Sequence, residues 1–196
     1  LILLDGDCVP DLDFISQHRR LMQSGFLVNG SRCLLSQRFT QHVLDDAADV
    51  VGMTWVYWLQ QWRKGYASKI SPLLRAPDWG VRIESDFRWH GIRSCNMGLW
   101  LSDFERVNGF DTSFQGWGHE DADLVLRMFH AGVRRKNGFF ATEVFHLWHE
   151  EASRDRASAN EGTVRQRMQS DIVRAPLGLR ECRAVEDFET VTFANW

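Results

Sequence analysis

The chain has 196 residues, 44% of them hydrophobic and 25% charged, with a formal net charge of −3. That suffices for one domain with a real core, has the balance of an ordinary globular protein, and argues against a general nucleic-acid binder. Four cysteines (Cys8, Cys33, Cys95 and Cys182) lie far apart with no CxxC pair, which argues against a zinc ribbon or a dense disulfide framework and suits a reducing cytosol. No secretory signal and no apolar run long enough to span a bilayer is present.

Leu1-Ile-Leu-Leu4 reads as a buried central strand with nothing before it. A central strand at the first residue leaves both its edges to be covered, so the chain is expected to be a fragment lacking earlier strands. Asp5-Gly-Asp7 follows. Two carboxylates at the carboxyl end of a buried strand sit where ligands bind in open α/β sheets. Such a pair holds a hard divalent cation carrying a diphosphate, or is a simple Asp-Gly turn. Pro10 and Asp11 are expected to start a helix with Phe14, Ile15, His18 and Leu21 or Met22 on one face, ended by Gly25. Phe26-Leu-Val28 and Cys33-Leu-Leu35 read as short strands around an Asn29-Gly30 turn, and a polar helix spans Gln37 to Asp46.

Trp55, Trp58, Leu59 and Trp62 lie at helical spacing within Met53 to Tyr66, and Arg63, Lys64 and Lys69 follow. Three readings compete: a helix buried against the sheet, an acceptor-binding wall, and an interfacial helix on an anionic membrane. Nine tryptophans exceed what packing needs, so some should face a ligand or an interface. Ser71 to Gly80 is a loop, and Asp86 to Gly91 is polar and aromatic. Ile92 to Leu101 reads as a strand carrying Asn96 and Gly98, where glycine marks a close approach. Ser102 with Glu105 has the capping-box pattern, in a short helix ending at Asn108-Gly109.

Phe114-Gln-Gly-Trp-Gly-His-Glu-Asp-Ala-Asp123 is the densest stretch. Leu124, Val125, Met128 and Phe129, closed by Gly132, give one face of an amphipathic helix. Glu120, Asp121 and Asp123 therefore fall in its first turn, where the dipole favours negative charge. They either cap the helix or form a carboxylate site beside the Trp117 indole, a platform for a sugar ring. Val133 to Lys136 leads into a strand, Phe139 onward, that ends in His146-Leu-Trp-His149. The two histidines turn toward one ion if the backbone bends there, or are structural. Glu150 to Ala175 is Arg-rich and expected as a surface helix interrupted near Gly162. The chain is taken as one domain, 1–196, with a catalytic part at 1–149 and a helical extension and tail at 150–196.

In that order, Asp-Gly-Asp, Gly-Trp-Gly-His-Glu-Asp and His-Leu-Trp-His resemble the nucleotide-sugar-dependent glycosyltransferases of family 2, from Leu1 to about Leu179. Asn108-Gly-Phe-Asp111, Gly116 to Asp121 and Ala131 to Lys136 carry the densest match. The resemblance is strongest to bacterial members building lipopolysaccharide core, capsule or similar surface glycans, and the Gly-Trp-Gly/Glu-Asp block is also similar to that of β-1,4-galactosyltransferases. It implies a GT-A fold: an α/β, Rossmann-like mixed sheet flanked by helices, whose nucleotide-binding half would precede Asp5 and is absent from this sequence. It implies that Asp7, His149 and His146 hold Mn²⁺ or Mg²⁺, that Asp5 contacts the ribose or the metal, and that Asn96 and Gly98 line the donor-sugar pocket. Asp121 would be the catalytic base, Glu120 would hold a hydroxyl, and Trp117 with Gly118 would meet the acceptor. The implied reaction is inverting transfer from a nucleotide-sugar donor to a glycan or lipid-linked glycan. It would run in the cytoplasm, or at the inner membrane's cytoplasmic face with peripheral membrane contact, and without nucleic acid. The rival readings are a non-catalytic carbohydrate-binding or scaffold fragment of the same fold, and a metal-dependent hydrolase.

Overall fold

The computed structural model describes residues 1–45, 48–89, 91–150 and 153–183. The fold is mixed α/β, with two mixed sheets flanked by helices. In chain order the elements are β1 (Ile2–Leu4), β2 (Cys8–Pro10), α1 (Phe14–Leu21), β3 (Phe26–Asn29), β4 (Ser31–Leu34), α2 (Gln37–Leu44) and α3 (Trp55–Arg63). There follow β5 (Ile83–Glu84), β6 (Asn96–Gly98), α4 (Leu101–Arg106), α5 (Glu120–His130), β7 (Arg134–Asn137), β8 (Glu143–His146), α6 (Ala157–Arg167) and α7 (Leu179–Arg183). The larger sheet runs β1-β6-β3-β7-β5 and the smaller one β2-β8-β4.

Three times the chain leaves a strand of the large sheet and enters one of the small sheet: β1 to β2, β3 to β4, and β7 to β8. This corrects the expected Asn29-Gly30 hairpin, because β3 pairs with β6 and β7, whereas β4 pairs with β8. Gly30 is required at the second crossing by space: a Cβ there would lie 2.1 Å from the Asn96 side chain. The strand expected from Phe139 onward is shortened to β8, Glu143–His146, and Arg134–Asn137 ahead of it forms a strand of its own, β7, in the other sheet.

Leu1 to Leu4 is not central. Among the described residues β1 pairs with β6 alone, antiparallel, and Leu1 and Leu4 are exposed. An apolar run does not tell an edge strand covered on one face from a central one. Other boundaries also shift. Pro10 belongs to β2, so the first helix starts at Phe14; Phe14, His18 and Leu21 are buried, but Ile15 is exposed. The strand around Asn96 keeps only three residues. Trp100, not Ser102, precedes α4, with no side-chain cap. Gly162 sits inside α6 without interrupting it. Asp46 of the expected polar helix, residues 151–152 of the Arg-rich stretch and 184–196 of the tail lie outside the described residues.

Each sheet has its own core. Leu27 and Met97 of the large sheet, with Leu99 just past β6, pack with Leu124, Val125 and Met128 of α5. Burial of each such side chain contributes about 1.5–3 kcal/mol. The small sheet packs Cys33 and Phe145 against Phe39 and Trp58. Thus Trp58 takes the buried reading of α3, while Trp55 and Trp62 face outward, 66% and 42% exposed. Among the described residues, no helix is long and apolar enough to cross a membrane.

Candidate functional site

The first crossing carries the acidic pair. Asp5 N–H donates to the Cys95 carbonyl at 3.3 Å, Cys8 N–H to the Asp5 carbonyl at 3.1 Å, and Leu147 N–H to the Asp7 carbonyl at 2.9 Å. The turn is thereby pinned between β6 and the end of β8. Cys8 lies directly opposite His146 in the β2–β8 ladder, which brings His146 beside Asp7. His146 Nε2 is 3.5 Å from Asp7 Oδ2, and His149 Nε2 is 3.0 Å from the same oxygen. The backbone bend that the histidine pair needed is present: β8 ends at His146, and Trp148 N–H bonds the Thr40 hydroxyl at 2.8 Å.

One carboxylate and two imidazoles converging on a point form a mixed oxygen and nitrogen set suited to Mn²⁺ or Mg²⁺. Burial lowers the His146 pKa, favouring the neutral imidazole that binds metal. Burial, followed by the Asp7 charge, holds the Asp5 carboxyl above its usual range.

The Gly-Trp-Gly loop forms the opposite end. Gly116, Gly118 and His119 all have positive φ, at 71°, 108° and 73°. These turns aim the chain into α5 and leave Trp117 47% exposed. Asn160 of α6 donates to the carbonyls of Gln115 and Gly118 at 3.2 and 2.9 Å, holding the loop from behind. Glu120 accepts from Gly118 N–H at 3.1 Å, a cap on the loop itself. Asp121 accepts from Ala122 N–H at 2.7 Å. Burial, reinforced by the Glu120 charge, raises the Asp121 pKa to about 6. Desolvation therefore outweighs the helix dipole at this carboxylate.

Asp123 is different. It is fully buried, paired with Arg127 of α5 at 2.8 Å and Arg167 of α6 at 2.6 Å, and Arg167 also reaches Asp111 at 2.7 Å. It fastens α5 to α6 and to the Asn-Gly-Phe-Asp loop.

Two cavities join these ends. One of about 450 Å³ is lined by Trp89, Trp117, Gly118, Glu120 and Asp121. Another of about 400 Å³ is lined by Asp7, His146, Trp148 and His149. Asp5, Arg32, Trp117 and Arg154 line both, so they form one trough. Arg154 lies over the Trp117 ring, 4.8 Å from its centroid.

Asn96 and Gly98 line neither cavity, which corrects their expected place in a donor-sugar pocket. Asn96 is 1% exposed. Its side chain donates to the carbonyls of Ser31 and Thr142 and meets His18 Nε2 at 2.9 Å, while its carbonyl accepts from Gly30 N–H. Gly98 is glycine because a Cβ would come 2.5 Å from His18 Nδ1. Conversely, the sequence reading missed Arg32 and Arg154. Arg32 stands beside buried Cys33 in a short strand, where strand alternation points it away from the core.

Residues 79–150 match the family model described as the N-terminal domain of galactosyltransferase. The matched stretch holds the Gly-Trp-Gly loop, Glu120, Asp121 and both histidines, and so spans both ends of the trough; Asp5, Asp7 and Arg32 precede it. The match supports a glycosyltransferase type of protein and, in general terms, glycosyltransferase activity. No curated protein matches the chain.

Proposed function

We propose that the trough transfers a sugar from a nucleotide-diphosphate donor to a glycan hydroxyl, with inversion. The observation that carries this reading is a pair of adjoining cavities that share Asp5, Arg32, Trp117 and Arg154, with Asp7, His146 and His149 at one end and a carboxylate of raised pKa, Asp121, at the other. A galactosyltransferase domain implies a nucleotide-sugar donor and a glycan acceptor, and the two ends suit those partners.

Asp7, His146 and His149 would hold the divalent cation, with Asp5 beside them toward the ribose or the metal. When bound, the cation offsets the charge that develops on the leaving diphosphate. Arg32 and Arg154 face the trough between the two ends and add positive charge where that diphosphate would lie. Trp117 offers a ring face to the acceptor, Gly118 allows close approach, and Glu120 orients a hydroxyl. Asp121 takes the hydroxyl proton as the oxygen attacks. A pKa near 6 makes it a stronger base than an exposed aspartate while leaving it ionised at neutral pH. One base and one displacement invert the anomeric centre.

The biological setting we infer is synthesis of a bacterial surface polysaccharide or lipopolysaccharide at the cytoplasmic face of the inner membrane, with Trp55 and Trp62 of α3 touching the lipid. The test is a mass-spectrometric screen of nucleotide-sugars with Mn²⁺, with and without glycan acceptors. Acceptor-dependent, chelator-sensitive product supports the reading. Sugar release without acceptor supports hydrolysis, and no turnover with any donor supports a binding or scaffold role.

A further inference from the structure

The carboxylate of Asp7 faces two ways. Oδ2 points at the two histidines, whereas Oδ1 accepts from the Cys8 thiol at 3.5 Å. Cys8 and His146 are directly opposed across the β2–β8 ladder, so their side chains share a sheet face. One ligand atom each from Asp7, Cys8 and His146 lies within 4.8 Å of the others. Cys8 is buried, in a cluster with Phe14, Cys95 and Val144.

Two donor sets therefore share Asp7 and His146. The set completed by His149 offers oxygen and nitrogen only. The set completed by Cys8 adds a thiolate, which selects thiophilic cations such as Zn²⁺ over Mn²⁺ or Mg²⁺. Around a tetrahedral Zn²⁺ with bonds of about 2.0–2.3 Å, donor atoms stand roughly 3.3–3.8 Å apart. Closing from 4.8 Å takes a contraction of about an ångström, within reach of side-chain rotation.

We infer that Asp7, Cys8 and His146 form a second, overlapping site that captures thiophilic divalent cations. A cation there takes Asp7 and His146 away from the oxygen and nitrogen set, so Zn²⁺ or Cd²⁺ displaces Mn²⁺. As the metal–sulfur bond forms, the thiol proton leaves to solvent, one per cation bound. None of this depends on the sugar-transfer reading, because the cation and not the substrate is the ligand.

The experiment uses CdCl₂ and MnCl₂ on the full chain. Ultraviolet absorption reads the cadmium–thiolate charge-transfer band, and ¹¹³Cd resonance reads sulfur ligation in the wild-type protein. The expected result is a band saturating at one Cd²⁺ per chain, a sulfur-shifted resonance, and release of bound Mn²⁺ seen by electron spin resonance. Cys8→Ser should lose the band and weaken Cd²⁺ by more than the roughly 10–100-fold that removing an outer-shell partner costs, with Mn²⁺ affinity unchanged. Cys95→Ser should keep the band. A wild-type resonance with oxygen and nitrogen ligation only would overturn the inference even if Cys8→Ser failed to fold. So would a band that survives in Cys8→Ser or vanishes in Cys95→Ser. Loss of sugar transfer with the band intact would bear on the proposed function alone.

Discussion

Asp121→Asn should move activity and stability in opposite directions. The Asp121 pKa rises from 3.8 to about 6 because burial and Glu120 oppose its charge. A raised carboxyl pKa means the folded protein holds the proton more tightly than the unfolded chain. That proton-linked stabilisation is complete below about pH 4 and is lost as pH rises through 6. Above pH 6 the ionised carboxylate therefore burdens the fold, by up to about 3 kcal/mol for a shift of about two units. Asparagine removes the charge and still accepts from Ala122 N–H. The amide's bonds are weaker than a carboxylate's, which leaves a gain of about 1–2 kcal/mol at pH 8, or roughly 2–8 °C in melting temperature for a chain of this size. The gain should fade by pH 4. Transfer should drop by roughly 10²–10⁴-fold, and wild-type kcat/KM should fall as pH drops below about 6. Paired melting curves at pH 8 and 4, with initial rates, test this. A variant that melts lower at pH 8, or that turns over normally, refutes the assignment and passes the role to Glu120.

Asp123→Asn is no matched control, because it leaves Arg127 and Arg167 facing a neutral group; denaturant melts should show a loss of about 3–5 kcal/mol, the range for breaking a buried pair. Asp7→Ala and His149→Ala should each weaken Mn²⁺ in calorimetry, and unchanged binding in both removes the oxygen and nitrogen site. Asn96→Ala strips bonds from Ser31, Thr142 and His18 and should lower stability by about 3 kcal/mol; a near-neutral melt would show that the sheet junction does not rely on it. Replacing Trp55 and Trp62 with serine should abolish flotation with anionic liposomes while leaving the melting temperature unchanged, since neither ring is buried; flotation that persists in the double variant excludes α3 as the contact.

Helix α5 was legible because its apolar period, its first-turn acids and Gly132 all agree on one answer. The convergence of Asp7 with His146 and His149 was anticipated only by resemblance, since the contact comes from pairing of β2 with β8 across 138 residues of sequence (Cys8 to His146). Local pattern does not encode such a register. The division into two sheets was hidden for the same reason: an Asn-Gly pair has the same composition in a hairpin and in a strand that changes sheets. Asp123 shows a different limit. Its position in a first helical turn looks like capping, and only the packing of α6 makes it a buried partner of Arg167. Arg32 gave no signal, because one arginine in a four-residue strand is ordinary until both cavities open onto it.

The Asp7–histidine end belongs to the small sheet and the Asp121 end to a helix on the large one, so their spacing is set by whatever fixes one sheet to the other. Three consecutive residues bear on this. Ser94 lines the same cavity as Asp121, the Cys95 carbonyl takes Asp5 N–H, and Asn96 bonds the crossings at Gly30, Ser31 and Thr142. A shift in this run would move the Asp121 cavity, the acidic turn and the sheet junction together. Buried amides serve that purpose better than apolar contacts, because an unpaired polar group inside the protein costs about 1–3 kcal/mol whereas a slid methyl group costs far less. A side chain read from sequence as a ligand for the donor sugar is better explained as the polar lock that keeps the two ends of the trough in register.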